Sequence, residues 1–137
     1  MNDKLKILII NAEEKSSQEF VKELYRRDYS NYLCVKININ HKEWINKYLD
    51  NWKPDVVVCI SSDVTKFVVE AVKRDNLILV CKSCSLNESI KSSLEKFYIV
   101  EEESEIDFGL KLYYVIATNK FGTYRFTKTG LNFIEQK

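Results

Sequence analysis

Lys53-Pro54-Asp55-Val56-Val57-Val58-Cys59-Ile60 is the stretch that decides the fold. Proline punctuates it, and five apolar residues then follow without a polar one between them. A strand with one wet face alternates apolar and polar residues, whereas an unbroken apolar run is what a strand covered on both faces looks like. Such strands belong to parallel sheets with helices above and below. Outward from this run the same theme recurs. Leu5 to Ile10, Tyr32 to Ile37, Leu77 to Val80 and Phe97 to Val100 are short apolar or β-branched runs, read as strands.

Between these runs the apolar spacing changes to the helical one. Ser16 with Glu19 and Asn40 with Glu43 read as capping boxes opening helices. Phe20, Val21, Leu24 and Tyr25 share one face of the first, and Trp44, Ile45, Tyr48 and Leu49 one face of the second. Ser61, Ser62 or Asp63 is expected to cap a third helix carrying Val64, Phe67, Val68, Ala71 and Val72. Ser85 with Glu88 is expected to cap a fourth. Strands alternating with helices of a dozen residues mean βαβ units with right-handed crossovers. The expected fold is therefore α/β: a flavodoxin- or receiver-like doubly wound, mostly parallel five-stranded sheet over residues 1–100. After it, Leu110, Leu112, Tyr114 and Ile116 alternate with Lys111, Tyr113 and Val115, and a turn leads to Thr123–Thr127. This predicts a C-terminal antiparallel hairpin over 108–137, closed by a short helix from Leu131 to Gln136. The whole chain, 1–137, reads as one domain.

Composition bounds the function. Of the 137 residues, 45% are hydrophobic, and 21 basic residues against 20 acidic ones leave a net charge of +1. That balance advertises no polyanion partner, so nucleic-acid binding is not expected. Ile7 to Ile10 is too short for a secretory or membrane segment, which leads to the expectation of a cytoplasmic protein with reduced cysteines.

Ligands of open parallel sheets bind beyond the carboxyl ends of the strands, where helix N-termini also point. The candidate site for a small anionic or nucleotide ligand is accordingly Asn11, Glu13, Lys15, His41, Ser61, Ser62, Asp63, Lys82 and Ser83. Helix caps select the same residue types without any ligand. The three glycines, Gly109, Gly122 and Gly130, all lie after the repeating half. Neither a dinucleotide fingerprint nor a P-loop can be written on the chain, so no cofactor is expected. Cys81-Lys82-Ser83-Cys84 is a candidate dithiol, since Lys82 and a helix N-terminus would both lower a thiol pKa. No metal site is expected, because Cys34 and Cys59 fall inside strands and His41 is the sole histidine.

Residues 4–100 resemble the receiver domains of two-component signalling. Ile7-Leu8-Ile9-Ile10-Asn11-Ala12-Glu13 is similar to that family's first strand and acidic cluster, and Lys53 to Ile60 to the strand leading to its phosphoacceptor. Leu77 to Cys81 and Tyr98 to Val100 are similar to the strands ending in its hydroxyl residue and its lysine. The functional positions differ. The metal-binding acids fall on Asn11 and Ala12, the phosphoacceptor on Ile60, the hydroxyl on Cys81 and the lysine on Glu101. The resemblance therefore implies a degenerate receiver, a non-catalytic regulatory domain working through protein contacts. Tyr113, Tyr114, Phe121 and Tyr124 of the hairpin would meet a partner, and an exposed hairpin edge favours a homodimer. A smaller stretch, Tyr124 to Leu131, resembles the end of the wing in winged-helix proteins, but 101–109 cannot supply the helices such a domain needs.

Overall fold

A computed structural model describes residues 5–11, 15–60, 64–82, 86–101, 108–118, 120–127 and 130–135. The strands are β1 (Ile7–Ile10), β2 (Tyr32–Val35), β3 (Val56–Cys59), β4 (Ile78–Lys82), β5 (Phe97–Glu101), β6 (Gly122–Thr127) and β7 (Gly130–Glu135). The helices are α1 (Lys15–Arg26), α2 (Lys42–Trp52), α3 (Lys66–Arg74), α4 (Glu88–Ser93) and α5 (Phe108–Ala117). The strands form one sheet in the order β2-β1-β3-β4-β5-β6-β7. All neighbours are parallel except β6 and β7. The strand order reverses between β1 and β3, which is the topological switch point of a doubly wound sheet.

The unbroken run at Val56–Cys59 is buried at every position, as a strand covered on both faces must be. Alternate side chains feed two cores. On one face Leu8, Val57, Leu79 and Ile99 pack with Ile45, Leu49, Val68 and Val72 of α2 and α3. On the other, Ile9, Val58, Val80 and Tyr98 pack with Phe20 and Leu24 of α1 and with Leu112, Val115 and Ile116 of α5. The sheet is thus clothed on both sides.

The C-terminal part corrects the expected five strands plus hairpin. Residues 110–116 are helical, not extended. Leu112, Val115 and Ile116 are buried while Tyr114 is 48% exposed, the i, i+3, i+4 pattern of a helix. A parallel strand next to β5 requires a long crossover, and α5 supplies it. β6 then joins the sheet parallel to β5, and the hairpin is made by β6 with β7. The expected terminal helix is therefore strand β7. Tyr124, expected on an exposed face, is buried against Tyr98 and Phe133.

Four helix starts are also displaced from their expected caps. Thr65 caps α3, its hydroxyl accepting from the Val68 N–H at 3.4 Å. Asn87 caps α4, accepting from the Ile90 N–H at 2.9 Å. His41 precedes α2 with no side-chain capping bond. α1 begins at Lys15, so Ser16 lies inside it.

Candidate functional site at the carboxyl edge

The carboxyl ends of β1 and β3 flank the switch point, and that of β4 lies one strand further on. Their following loops, residues 12–14, 61–63 and 83–85, carry Glu13, Ser61, Ser62, Asp63, Ser83 and Cys84, which lie outside the described residues. Lys15 opens α1, and its side chain lies outside them too. His41 is exposed, immediately before α2. Of the expected site residues, Asn11, Lys82 and Cys81 are placed in detail.

Lys82 ends β4 and is only 8% exposed. Its register partner is Val100, and by alternation it shares a sheet face with Val80, Tyr98 and Val100. That is the face covered by α1 and α5. An ammonium taken out of water costs several kcal/mol unless opposite charge or hydrogen-bond acceptors meet it. Lys82 is engaged within the fold.

Cys81 lies on the opposite face and is fully buried, level with Cys59 on β3. Reactive thiols need partial exposure and an electropositive surrounding, and Cys81 has an apolar one. Cys34, on edge strand β2, is exposed, and partial burial of its thiol pushes its pKa up.

Asn11 follows β1 with a left-handed backbone, φ 53°. Its N–H donates to the Val35 carbonyl at 2.8 Å. Its carboxamide accepts from the Ile37 N–H at 2.9 Å and donates to the Ile37 carbonyl at 3.0 Å. The loop after β2 is held a second time, because the Thr65 hydroxyl donates to the Ile39 carbonyl at 2.8 Å. Asn11 was expected as a ligand contact; its side chain joins β1 to the segment after β2. Sequence reading missed Thr65 altogether.

A broad hollow lies at the other, amino edge of the sheet, lined by Leu49, Asp50, Asp55, Asp75, Leu77 and Lys96 among others. Its acids are structurally committed. Arg74 bonds both Asp50 and Asp75, at 2.8 and 2.9 Å, and Asp55 accepts from the Lys6 N–H at 2.8 Å. Among the described residues no group of three His, Cys, Asp or Glu could hold a metal ion, and no helix is long and apolar enough to cross a membrane.

No protein-family model matches the chain, and neither does a curated protein sequence. Solved structures do. The chain is similar to the Bordetella bronchiseptica enzyme WbmH in complex with NAD+, with a TM-score of 0.66 at 12% identity over 94% of this chain and 77% of that one. It is similar to MlghC, the GDP-mannoheptose C4 reductase of Campylobacter jejuni with NADP bound, with a TM-score of 0.53 at 14% identity over 91% of this chain and 52% of that one. The GDP-D-glycero-L-gluco-heptose synthase of the same organism gives 0.53 at 15% identity, over 91% and 48%. The fold is Rossmann-like. The chain spans about half the length of the two Campylobacter enzymes. These likenesses correct the expected non-catalytic, receiver-like regulatory domain, since the scaffold is that of NAD(P)-dependent enzymes.

That scaffold implies a dinucleotide, but the residues present do not fit one held in the usual way. A G-x-G-x-x-G loop lets backbone approach the pyrophosphate, and an acid about 20 residues on takes the ribose hydroxyls. Written from the end of β1, the glycine positions fall on Asn11, Glu13 and Ser16. Asn11 keeps the left-handed turn of the first glycine. A Glu stands where the pyrophosphate would need a bare backbone. Val35 to His41, the end of β2 and the loop after it, contains no acid.

Proposed function

We propose that this chain is a Rossmann-type nucleotide-binding domain that holds a phosphorylated, nucleotide-class ligand over the carboxyl ends of β1, β3 and β4. The observation that carries the reading is the burial of Lys82 at this edge, on the face toward α1. A cation buried at a strand end one strand from the topological switch point can serve as a counter-charge for a phosphate. The helix following β1 would add its N-terminal N–H groups. Ser61, Ser62 and Ser83 stand in the loops at the same edge and would contribute hydroxyl donors. Such a site would work through side chains rather than a glycine-lined backbone. Support also comes from the NAD(P)-dependent enzymes that share the fold, some of which act on GDP-linked sugars by their own descriptions.

The test is a thermal-shift series with inorganic phosphate, ribose 5-phosphate and AMP on the wild type and Lys82→Met. A ligand at a hundredfold excess over its Kd stabilises by about 2.7 kcal/mol. In a domain of this size that is a rise of roughly 10 °C. The expected result is a rise in the wild type that Lys82→Met abolishes while the variant stays folded. A flat response in the wild type, or an equal rise in both, refutes the reading.

A further inference from the structure

The sheet ends on β7, which pairs with β6 and, among the described residues, has no neighbour on its other side. Its outer edge therefore offers unpaired N–H and C=O groups, a template for a further strand. Natural edges are commonly blunted by charged residues or proline. Gly130-Leu131-Asn132-Phe133-Ile134 carries neither. Phe133, 36% exposed, and Ile134, 40% exposed, stand side by side on this strand. A row of aromatic rings leads out to it. Tyr98 on β5 lies 6.3 Å from Tyr124 on β6, and Tyr124 lies 5.3 Å from Phe133 on β7, centroid to centroid. Tyr98 and Tyr124 are buried, so the row is open only where the sheet stops. The opposite edge strand, β2, is only four residues long and is followed by Lys36.

The hairpin fixes which backbone groups face outward. Thr127 stands opposite Gly130 across a two-residue loop, so this pair exchanges hydrogen bonds. Alternation then turns the backbone groups of Gly130 and Asn132 toward β6, and those of Leu131 and Phe133 toward the open edge. Ile134 has no opposite residue on β6, because Tyr124 faces Phe133 and Thr123 faces Glu135. This bulge ends the regular stretch at Phe133. An identical strand laid antiparallel, with Asn132 opposite Asn132, sets Leu131 of each copy opposite Phe133 of the other. That register pairs the outward-facing residues with each other and brings no like charges together within 130–134. We infer that β7 is the interaction surface for a second copy of this chain: two β7 strands pair antiparallel across a two-fold axis and join the two sheets into one. Such a contact uses the same patch on both copies and closes on itself, leaving no β7 edge open. Two short strands bury less than the roughly 1,200–2,000 Å² of a standard stable interface, so the association depends on concentration.

The experiment is sedimentation velocity of the full chain at pH 7, from micromolar to millimolar concentration, on the wild type, Leu131→Pro and Asn132→Asp. The Leu131 N–H faces away from β6, so proline there removes a donor to the second copy and none to β6. Aspartate at 132 sits in register with Arg125 of its own hairpin, but sets two carboxylates directly opposite each other across the two-fold axis. The wild type is expected to pass from monomer to dimer over this range and to go no further. Each variant is expected to raise the dissociation constant at least tenfold while melting as the wild-type monomer does. Amide hydrogen exchange gives a second reading. The Leu131 and Phe133 amides are expected to gain at least tenfold protection as the wild type is concentrated, with the β2 amides unchanged. A wild type that stays monomeric throughout overturns the inference. So does a dimer that both folded variants leave intact, or protection gained at β2 in place of β7. Should both variants fail to fold, the wild-type exchange pattern decides alone.

Discussion

Replacing Asn11 by alanine removes the carboxamide bonds to Ile37 while leaving the residue in a left-handed backbone. Two hydrogen bonds go, to the Ile37 N–H and carbonyl. At roughly 1 kcal/mol net each, that is about 2 kcal/mol. Alanine at φ 53° also lacks the local hydrogen bonding that lets asparagine tolerate this region, which adds about 1 kcal/mol. The expected loss for Asn11→Ala is therefore about 3 kcal/mol. Asn11→Gly loses the same two bonds but relieves the backbone, so its expected loss is smaller by about 1 kcal/mol. Urea unfolding of the three proteins reads both numbers. With a slope of about 2 kcal/mol per M, the alanine midpoint should fall by roughly 1.5 M and the glycine midpoint by about 1 M. An Asn11→Ala loss below about 0.5 kcal/mol, within the range of ordinary surface substitutions, would show that the carboxamide is not tied to Ile37. A glycine variant less stable than the alanine one would refute the left-handed backbone.

Three further outcomes are expected. Leu112→Asp should prevent folding while Tyr114→Asp leaves a folded protein, because Leu112 is fully buried and Tyr114 half exposed; circular dichroism melts that treat the two alike would favour an extended segment over α5. Leu112→Ala should cost about 2–5 kcal/mol in chemical unfolding, as buried leucine truncations do, and a loss under 1 kcal/mol would contradict its placement on the buried face of α5. Burial, aided by the neighbouring Tyr124, raises the Tyr98 phenol above its ordinary value of 10.0; its contribution is complete below pH 10 and lost as pH rises through the raised folded value, so stability should fall above pH 10 with a slope that Tyr98→Phe reduces. An unchanged alkaline slope in that variant would count against it.

Much of the sheet was legible in the chain, and particular residues show why. Val56 to Cys59 and Ile7 to Ile10 are unbroken apolar runs, and burial on both faces permits no other composition. The segment from Leu110 to Ala117 is almost wholly apolar, so a period of two and a period of 3.6 describe it equally well. What settled it was tertiary: β6 pairs parallel to β5 and needs a crossover between them. Leu131 to Glu135 carries no decisive periodicity, and pairing with β6 makes it a strand. Caps moved because Ser, Thr and Asn are abundant near every helix start, and Thr65 and Asn87 won by geometry over Ser61 and Ser85.

The site was legible only by position. Lys82 ends an apolar strand, which marks it as a charge at the sheet edge, but its burial comes from α1 and α5 packing over that face. The type of residue at Asn11 suggested a ligand contact. Its left-handed backbone and its bonds to Ile37 depend on β1 and β2 lying side by side, a long-range fact no local pattern carries.

The carboxyl edge, not the hollow at the amino edge, is proposed to receive a phosphorylated ligand. A map of backbone amide chemical-shift changes on titration with AMP tests it most directly. Changes are expected to concentrate at residues 11–17, 61–65 and 82–87, with Asp50, Asp55, Asp75 and Asn76 unmoved. Changes centred on those four residues, or none at saturating AMP, would contradict it.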